Sequence, residues 1–234
     1  MKKIVITGGL GYIGFELCKL YSGESWNNKV TVIDNRFVSD QVHQLRNWNI
    51  NFVHSDIRNE ELVKKFLEDA DIIHHLAGIT DVARTKDEQN EEKDKEMNNV
   101  AEQGTLVVLS HASKNCKIIF PSTHVVFEGK DTLIENIKED YEKFPVLPYA
   151  KGKDNNEKQI QRSGKNFVIL RLGSVYGYSD NSMRLNIMPN LFSMLSSQNG
   201  SIKLFGGGKQ LKSLVPLIDT ARCFKFMEEK NDIN

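Results

Sequence analysis

Lys3-Ile-Val-Ile-Thr-Gly-Gly-Leu-Gly-Tyr-Ile-Gly14 opens the chain with a β-branched run that turns glycine-rich without a break and continues into an amphipathic stretch, Tyr12 to Tyr21. Read in that order it is a strand, a tight turn and the first turn of a helix. Gly9-x-Gly11-x-x-Gly14 sits where a dinucleotide fingerprint requires it, because glycines let the backbone turn sharply and approach a pyrophosphate closely. The anion then rests on free N–H groups at the positive end of the helix. A second β-branched run, Lys29 to Ile33, leads to Asp34, about twenty residues past Gly14, the spacing expected for an acid on the adenosine ribose. A carboxylate there repels a 2′-phosphate, so NAD is expected over NADP, with Arg36 nearby as the one opposing charge.

Outward from this unit the pattern repeats. Ile50-Asn-Phe-Val53, Asp71-Ile-Ile-His-His-Leu76, Lys117-Ile-Ile-Phe120 and Phe167-Val-Ile-Leu-Arg171 are short apolar runs. Runs of this kind suit a sheet covered on both faces. Glu60 to Leu67, Asn98 to Ala112 and Ala150 to Arg162 read as intervening helices. Alternation of this kind predicts an α/β fold, a doubly wound parallel sheet with right-handed crossovers. After residue 175 glycines punctuate a helix, Pro189 to Ser197, and a strand-like Ser201-Ile-Lys-Leu-Phe205. The expected division is a nucleotide-binding unit over 1–175 and a partial, smaller C-terminal lobe over 176–234, ending in a helix from about Asp219. Residues 86–96, almost all charged, read as a solvated face.

Composition narrows the function. The 234 residues carry 31 Lys+Arg against 31 Asp+Glu, which disfavours the basic footprint of a nucleic-acid binder. No stretch approaches the roughly 18 apolar residues of a membrane span. The N-terminus does not read as a secretory signal. Cys18, Cys116 and Cys223 are scattered, as in proteins of a reducing cytoplasm, and read as small buried side chains. His74-His75 lies within a strand, so the two rings face opposite ways and cannot share a metal. Gly208-Lys209-Gln210 lacks the Ser/Thr of a P-loop, and a glycine loop between strands is the expectation there.

Tyr149-Ala-Lys-Gly-Lys153 places a phenol and an ammonium four residues apart, on one face of a helix. A cation beside a tyrosine favours the phenolate, which could then accept a proton from an alcohol while hydride leaves the same carbon. Ser122 and Thr123 end the fifth strand at the carboxyl edge, where doubly wound folds bind ligands, and can orient the reacting oxygen.

Together these residues resemble the extended short-chain dehydrogenase/reductase family, in its branch of NAD-dependent nucleotide-sugar epimerases and dehydratases. Thr7-Gly-Gly-Leu-Gly-Tyr-Ile-Gly14 is similar to the family's TGGxGxxG, Asp34-Asn35 to the acidic end of its second strand, and Ser55-Asp-Ile-Arg58 to the turn near adenine. His75-Leu-Ala-Gly78 resembles the strand end that lies along the cofactor, Leu170-Arg-Leu-Gly-Ser-Val-Tyr-Gly177 the LRxxNVYG segment, and Phe205 to Asp219 the GxGxQxR…VxxxD stretch. The resemblance implies NAD held by Gly8, Gly11, Tyr12, Ile13, Gly14, Asp34, Asn35, Asp56, Ile57, Leu76, Ala77, Gly78, Thr80, Tyr149 and Lys153. It implies Thr123, Tyr149 and Lys153 as catalytic residues, and Ser122, Thr123, Ser174, Asn186 and Lys212 as contacts to a nucleotide-diphosphate sugar.

Three substitutions depart from the family pattern: Ser174 stands for asparagine, Lys212 for arginine, and Ala101 for the asparagine before Gly104-Thr105. His124-Val125 replaces the Asp–Glu pair of 4,6-dehydratases, which disfavours dehydration. The expected activity is therefore epimerisation through a transient 4-keto sugar. A reductase of nucleotide-linked 4-keto-deoxysugars and a non-catalytic NAD-binding module are the alternatives. A cytoplasmic homodimer without metal, membrane or nucleic-acid partners completes the expectation.

Overall fold

In a computed structural model, residues 1–24, 27–80, 90–130, 133–180 and 182–230 are described, apart from the side chains of 205 and 206. Six parallel strands form the central sheet: β1 (Lys2–Thr7), β2 (Asn28–Asp34), β3 (Asn51–His54), β4 (Ile72–His75), β5 (Lys117–Thr123) and β6 (Asn166–Leu172). Their order is β3-β2-β1-β4-β5-β6, the doubly wound arrangement that reverses direction between β1 and β4. That reversal opens a crevice at the carboxyl edge, bordered by the glycine loop.

Strand alternation sorts the core into two layers. Ile4, Ile6, Val30, Val32, Ile72 and Ile119 face α1 (Tyr12–Lys19), α2 (Ser39–Asn47) and α7 (Leu217–Phe226). Val5, Ile33, Ile73 and Ile118 face α3 (Glu60–Leu67) and α4 (Glu91–His111). Burying each such side chain stabilises the fold by about 1.5–3 kcal/mol, enough to make the order of apolar runs decide the topology. α5 (Pro148–Arg162) packs beside α4, and α6 (Met188–Ser197) lies in the connection between β7 (Ser174–Tyr176) and β8 (Leu214–Pro216), which pair as a separate two-stranded sheet.

Several elements differ from expectation. α4 begins at Glu91, a full two turns before Asn98. The side chain of Asn90 caps it by accepting from the N–H groups of Glu92 and Lys93, both at 3.1 Å, with acids filling the first turn where the helix dipole favours them. The expected charged face over residues 86–96 thus forms this first turn and a half, while 81–89 lie outside the described residues. α2 has only Val42 and Leu45 as buried apolar residues, too faint a stripe to announce a helix. Ser201–Phe205 is not a strand. Ile202 and Leu204 are exposed, β8 is already paired with β7, and a single strand leaves its ladder groups unmet. The triple glycine forms a 3-10 turn over Phe205–Gly208, with Gly207 and Gly208 at positive φ.

Helix α7 starts at Leu217 and lies against α1, with Ala221 and Phe224 fully buried beside Ile4, Ile6 and Ile119. Three of its neighbours' polar groups hold its end. The ammonium of Lys117 donates to the carbonyls of Met227 (3.2 Å), Glu228 (3.1 Å) and Lys230 (2.5 Å). His74 Nε2 lies 2.9 Å from Glu228 Oε1, and Tyr21 donates its hydroxyl to the same oxygen.

Candidate active site

The glycine loop is shaped by close approach. Gly8 is at φ +71°, and a Cβ there would lie 2.7 Å from the backbone nitrogen of Ala77 at the end of β4. At Gly9 it would meet Val32 Cγ1 at 2.6 Å, and at Gly14 it would strike the carbonyl of Gly8. Gly11 caps α1 with extended backbone and no side-chain acceptor, so the first N–H groups of the helix point into the crevice. Gly8, Gly9 and Gly14 are packed so closely on β4, Val32 and the loop itself that they admit no Cβ. The tight turn they allow leaves the free N–H groups at the start of α1 as a cradle suited to a diphosphate.

Asp34 closes the cradle on one side. Buried, it accepts from Leu10 N and Arg36 N, both at 2.9 Å, so β2 and the loop share one carboxylate. Burial pushes its pKa up and these two donors pull it back. Asn35 and Arg36 beside it are exposed, with Asn35 O 2.9 Å from His54 Nε2. Sequence reasoning missed Gln41, which is fully buried on α2 and donates to Leu10 O (3.2 Å) and Ser182 Oγ (2.6 Å). Asp56 has both oxygens on Arg58, at 2.8 and 3.0 Å to Oδ1 and 2.7 Å to Oδ2, which hold its carboxyl below the usual range. Neighbouring Ile57 is buried against Gly104 of α4.

The floor of the crevice is a buried polar relay. Thr7 Oγ1 accepts from Ala77 N at 3.1 Å and lies 2.9 Å from His75 Nδ1; the other ring nitrogen lies 3.1 Å from Thr105 Oγ1. Asn156 of α5 donates to the same threonine at 2.9 Å. Leu76 N bonds Thr7 O at 3.1 Å, Gly78 opens onto free space, and Thr80 O accepts from Arg184 at 3.1 Å. Burial, with the charge of Lys153 adding to it, drives the His75 pKa down to about 3. The unfolded chain, with an ordinary histidine, binds the extra proton below about pH 6.5, so acidification favours unfolding through this residue. The contribution is whole above pH 6.5 and falls by about 2 kcal/mol between pH 7 and 5. Denaturant midpoints at those two pH values should show this slope in the parent and a shallower one in His75→Gln; equal slopes would count against it.

At the carboxyl edge of β5 the strand parts its hydroxyls. Thr123 caps the following 3-10 turn, its hydroxyl accepting from Val125 N at 3.3 Å. Ser122 points the opposite way, as strand alternation requires, and donates to the fully buried Glu157. Tyr149 and Lys153 share a face of α5, with the lysine Nζ 6.0 Å from the tyrosine ring centre. That ammonium donates to Pro121 O at 2.8 Å and lies 4.5 Å from the Phe120 ring; burial pulls its pKa down to about 8.

Tyr149 itself is shifted up by burial, and the cation that acts against this is Arg184, a residue the sequence reading passed over. The Lys153 ammonium is turned toward β5. A buried ammonium needs an acceptor, and here it takes the backbone carbonyl of Pro121.

Gly177 and Asn190 meet the glycine loop through Tyr12. Its hydroxyl donates to Gly177 O and accepts from Asn190 at 3.2 Å. Buried Asn190 also accepts from Gly177 N at 2.9 Å and donates to Arg184 O at 2.9 Å, so it sets the arginine's loop. Ile13 packs on the core beneath. Ser174 lies in β7 with its N–H on Ser213 O at 2.7 Å, and Asn186 is exposed. Lys212 Nζ stands 3.6 Å from Glu128, which also lies 3.4 Å from His124 Nε2. A cavity of about 350 Å³ lies beside this trio, lined by Val125, Glu128, Gly129, Val146, Leu147 and Ala150.

Comparison with known proteins agrees with this fold. A dTDP-D-glucose 4,6-dehydratase of Dictyostelium discoideum is 24% identical over all of this chain, which spans 57% of that protein's length. A UDP-glucose 4-epimerase of Neisseria meningitidis serogroup C is 24% identical over 94% of this chain and 71% of its own. Among solved structures, a UDP-glucuronic acid 4-epimerase from Bacillus cereus, in complex with UDP-glucuronic acid and NAD, superposes with a TM-score of 0.79 at 26% identity, covering 99% of this chain and 75% of that one. Residues 4–234 match the NAD dependent epimerase/dehydratase family, and the chain belongs to it.

Proposed function

We propose that the protein is an NAD-dependent epimerase of a nucleotide-diphosphate sugar that works through a transient 4-keto intermediate. The observation that carries this is one juxtaposition. Tyr149 and Lys153 stand on α5 beside the end of β5, where Thr123 emerges, at the edge that also holds the glycine cradle. In this reading Gly8, Gly11, Tyr12, Ile13 and Gly14 seat the diphosphate, Asp34 with Asn35 borders the ribose, and Asp56 with Ile57 borders the adenine. Leu76, Ala77, Gly78 and Thr80 line the remaining length. When bound, oxidised NAD supplies the hydride acceptor and a positive charge that favours the phenolate of Tyr149.

Thr123 orients the sugar hydroxyl, Tyr149 takes its proton, and Lys153 keeps a cation beside the phenol while the carbon is oxidised. Tyr149 then gives the proton back to the keto oxygen as hydride returns to the opposite face of the sugar carbon, which yields the epimer with oxidised NAD restored. Ser174, Asn186 and Lys212 border the sugar nucleotide, with Arg184 beside Tyr149 as a further cation on the same side. The proposal includes a cytoplasmic location and pairing of two chains through α4 and α5, where Leu106 stands exposed on α4.

The test is incubation with NAD and a panel of UDP-, GDP- and dTDP-sugars, followed by NMR. Interconversion of two epimers without net change in reduced cofactor is the expected result. Cofactor binding with no sugar converted would refute epimerisation, and steady consumption of reduced cofactor would move the assignment to a keto-sugar reductase.

A further inference from the structure

We propose that Glu157 is a positioning residue of this site: one buried carboxylate that fixes the end of β5 through Ser122, ties residues 139–143 down through Arg171 and Lys143, and provides the counter-charge for the Lys153 ammonium one helical turn before it. The inference rests on the proposed roles of Tyr149 and Lys153.

Glu157 is fully buried on α5 and yet ionically satisfied from three other segments. Arg171 of β6 grips it with two nitrogens, Nε at 3.0 Å to Oε1 and Nη2 at 2.8 Å to Oε2. Lys143 reaches Oε2 at 3.0 Å and also pairs with Asp154, which Lys158 holds at 2.5 Å. Ser122 donates to Oε1. A carboxylate is stable in such a place only if its partners are complete, and each partner here is a part of the site's frame. Ser122 is the residue before Thr123. Arg171 also donates to Glu139 O at 2.6 Å and lies 5.3 Å from the Phe127 ring, so it clamps the segment that leads into α5 against the turn after Thr123. That segment ends at Tyr149, and Phe144 N bonds Val126 O at 2.7 Å.

Charge completes the argument. Lys153 faces Pro121 O and the Phe120 ring from β5, neutral His75 from β4, and Tyr149 and Glu157 on its own helix. Among the groups that act on it, Glu157 is the anion that opposes the loss of its proton by burial. Removing the carboxylate charge therefore favours the neutral amine, while freeing Glu157 and Asp154 from Lys143 favours the ammonium.

The experiment is NMR titration of protein labelled with ¹³C at lysine Cε, with the Lys153 signal assigned by its disappearance in Lys153→Gln. Glu157→Gln should lower the Lys153 midpoint by about one pH unit, and Lys143→Met should move it the other way. Under the proposed chemistry, the alkaline limb of the rate should follow both shifts. Coincident midpoints in the parent and both variants would overturn the proposal, whether or not any sugar is turned over. Loss of the interconversion in the parent itself would instead refute the epimerase reading. Lys143 is on the rim of the network, so Lys143→Met decides the matter alone if Glu157→Gln does not fold.

Discussion

Tyr149→Phe is expected to lower the turnover of the preferred sugar nucleotide by about a thousandfold or more while leaving NAD affinity within about threefold. The substitution removes one oxygen and keeps the ring, so the packing around the N-terminal turn of α5 is retained. What is lost is the proton acceptor for the sugar hydroxyl. Burial raises the phenol's pKa in the free protein, and among the described residues the charge of Arg184 opposes it. The base therefore forms fully only when further positive charge arrives beside it, which ties the phenolate to the loaded site. Two measurements check this: single-turnover rate with saturating NAD, and NAD affinity by calorimetry. An unchanged rate would remove Tyr149 from the chemistry and favour a cofactor-binding module. Lost NAD affinity with the rate constant intact would make the tyrosine a cofactor contact alone.

The nucleotide unit was legible in the sequence because its signals are local. Gly8 to Gly14 must turn sharply over β4, and only residues without a Cβ permit it; Asp34 follows at a fixed spacing because β2 has a fixed length. The apolar runs of β1 to β6 announce themselves because both faces of the sheet are covered. Tyr149 and Lys153 are readable for the same reason, being neighbours on one helix.

Long-range partners carried no such mark. Glu157, Arg171 and Lys143 are ordinary charged residues until the fold brings them together around Ser122. Arg184 sits on a loop without periodicity, and among the described residues Asn190 and Thr80 hold it. Ser122 and Thr123 look equivalent in sequence, whereas a strand sends adjacent hydroxyls to opposite faces. The same limit applied to Ser201–Phe205, whose alternation suits a strand but which finds no edge to pair with.

Phe224→Ala is the second large effect, and it bears on how the chain divides. A boundary at residue 175 would place α7 in a separate lobe. Yet Phe224 is fully buried with Ile4, Ile6 and Ile119, its ring centre 6.0 Å from that of His74 in the middle of the sheet. Truncating a buried phenylalanine removes its transfer free energy and leaves a cavity, together about 3–5 kcal/mol. In a unit of this size the melting temperature should fall by roughly 6–20 °C. If α7 is part of the nucleotide unit's core, the whole chain should melt lower in one transition, with near-ultraviolet and far-ultraviolet signals coincident and the NAD-stabilised transition shifted with them. An unmoved transition for the unit containing the glycine loop would instead assign α7 to an independent lobe. The anchoring of Glu228 by His74 and Tyr21, and of the following backbone by Lys117, argues for the first outcome. These contacts join the end of α7 to β4, β5 and the turn after α1, three parts of the nucleotide-binding half, so removing the ring beneath them should loosen both together.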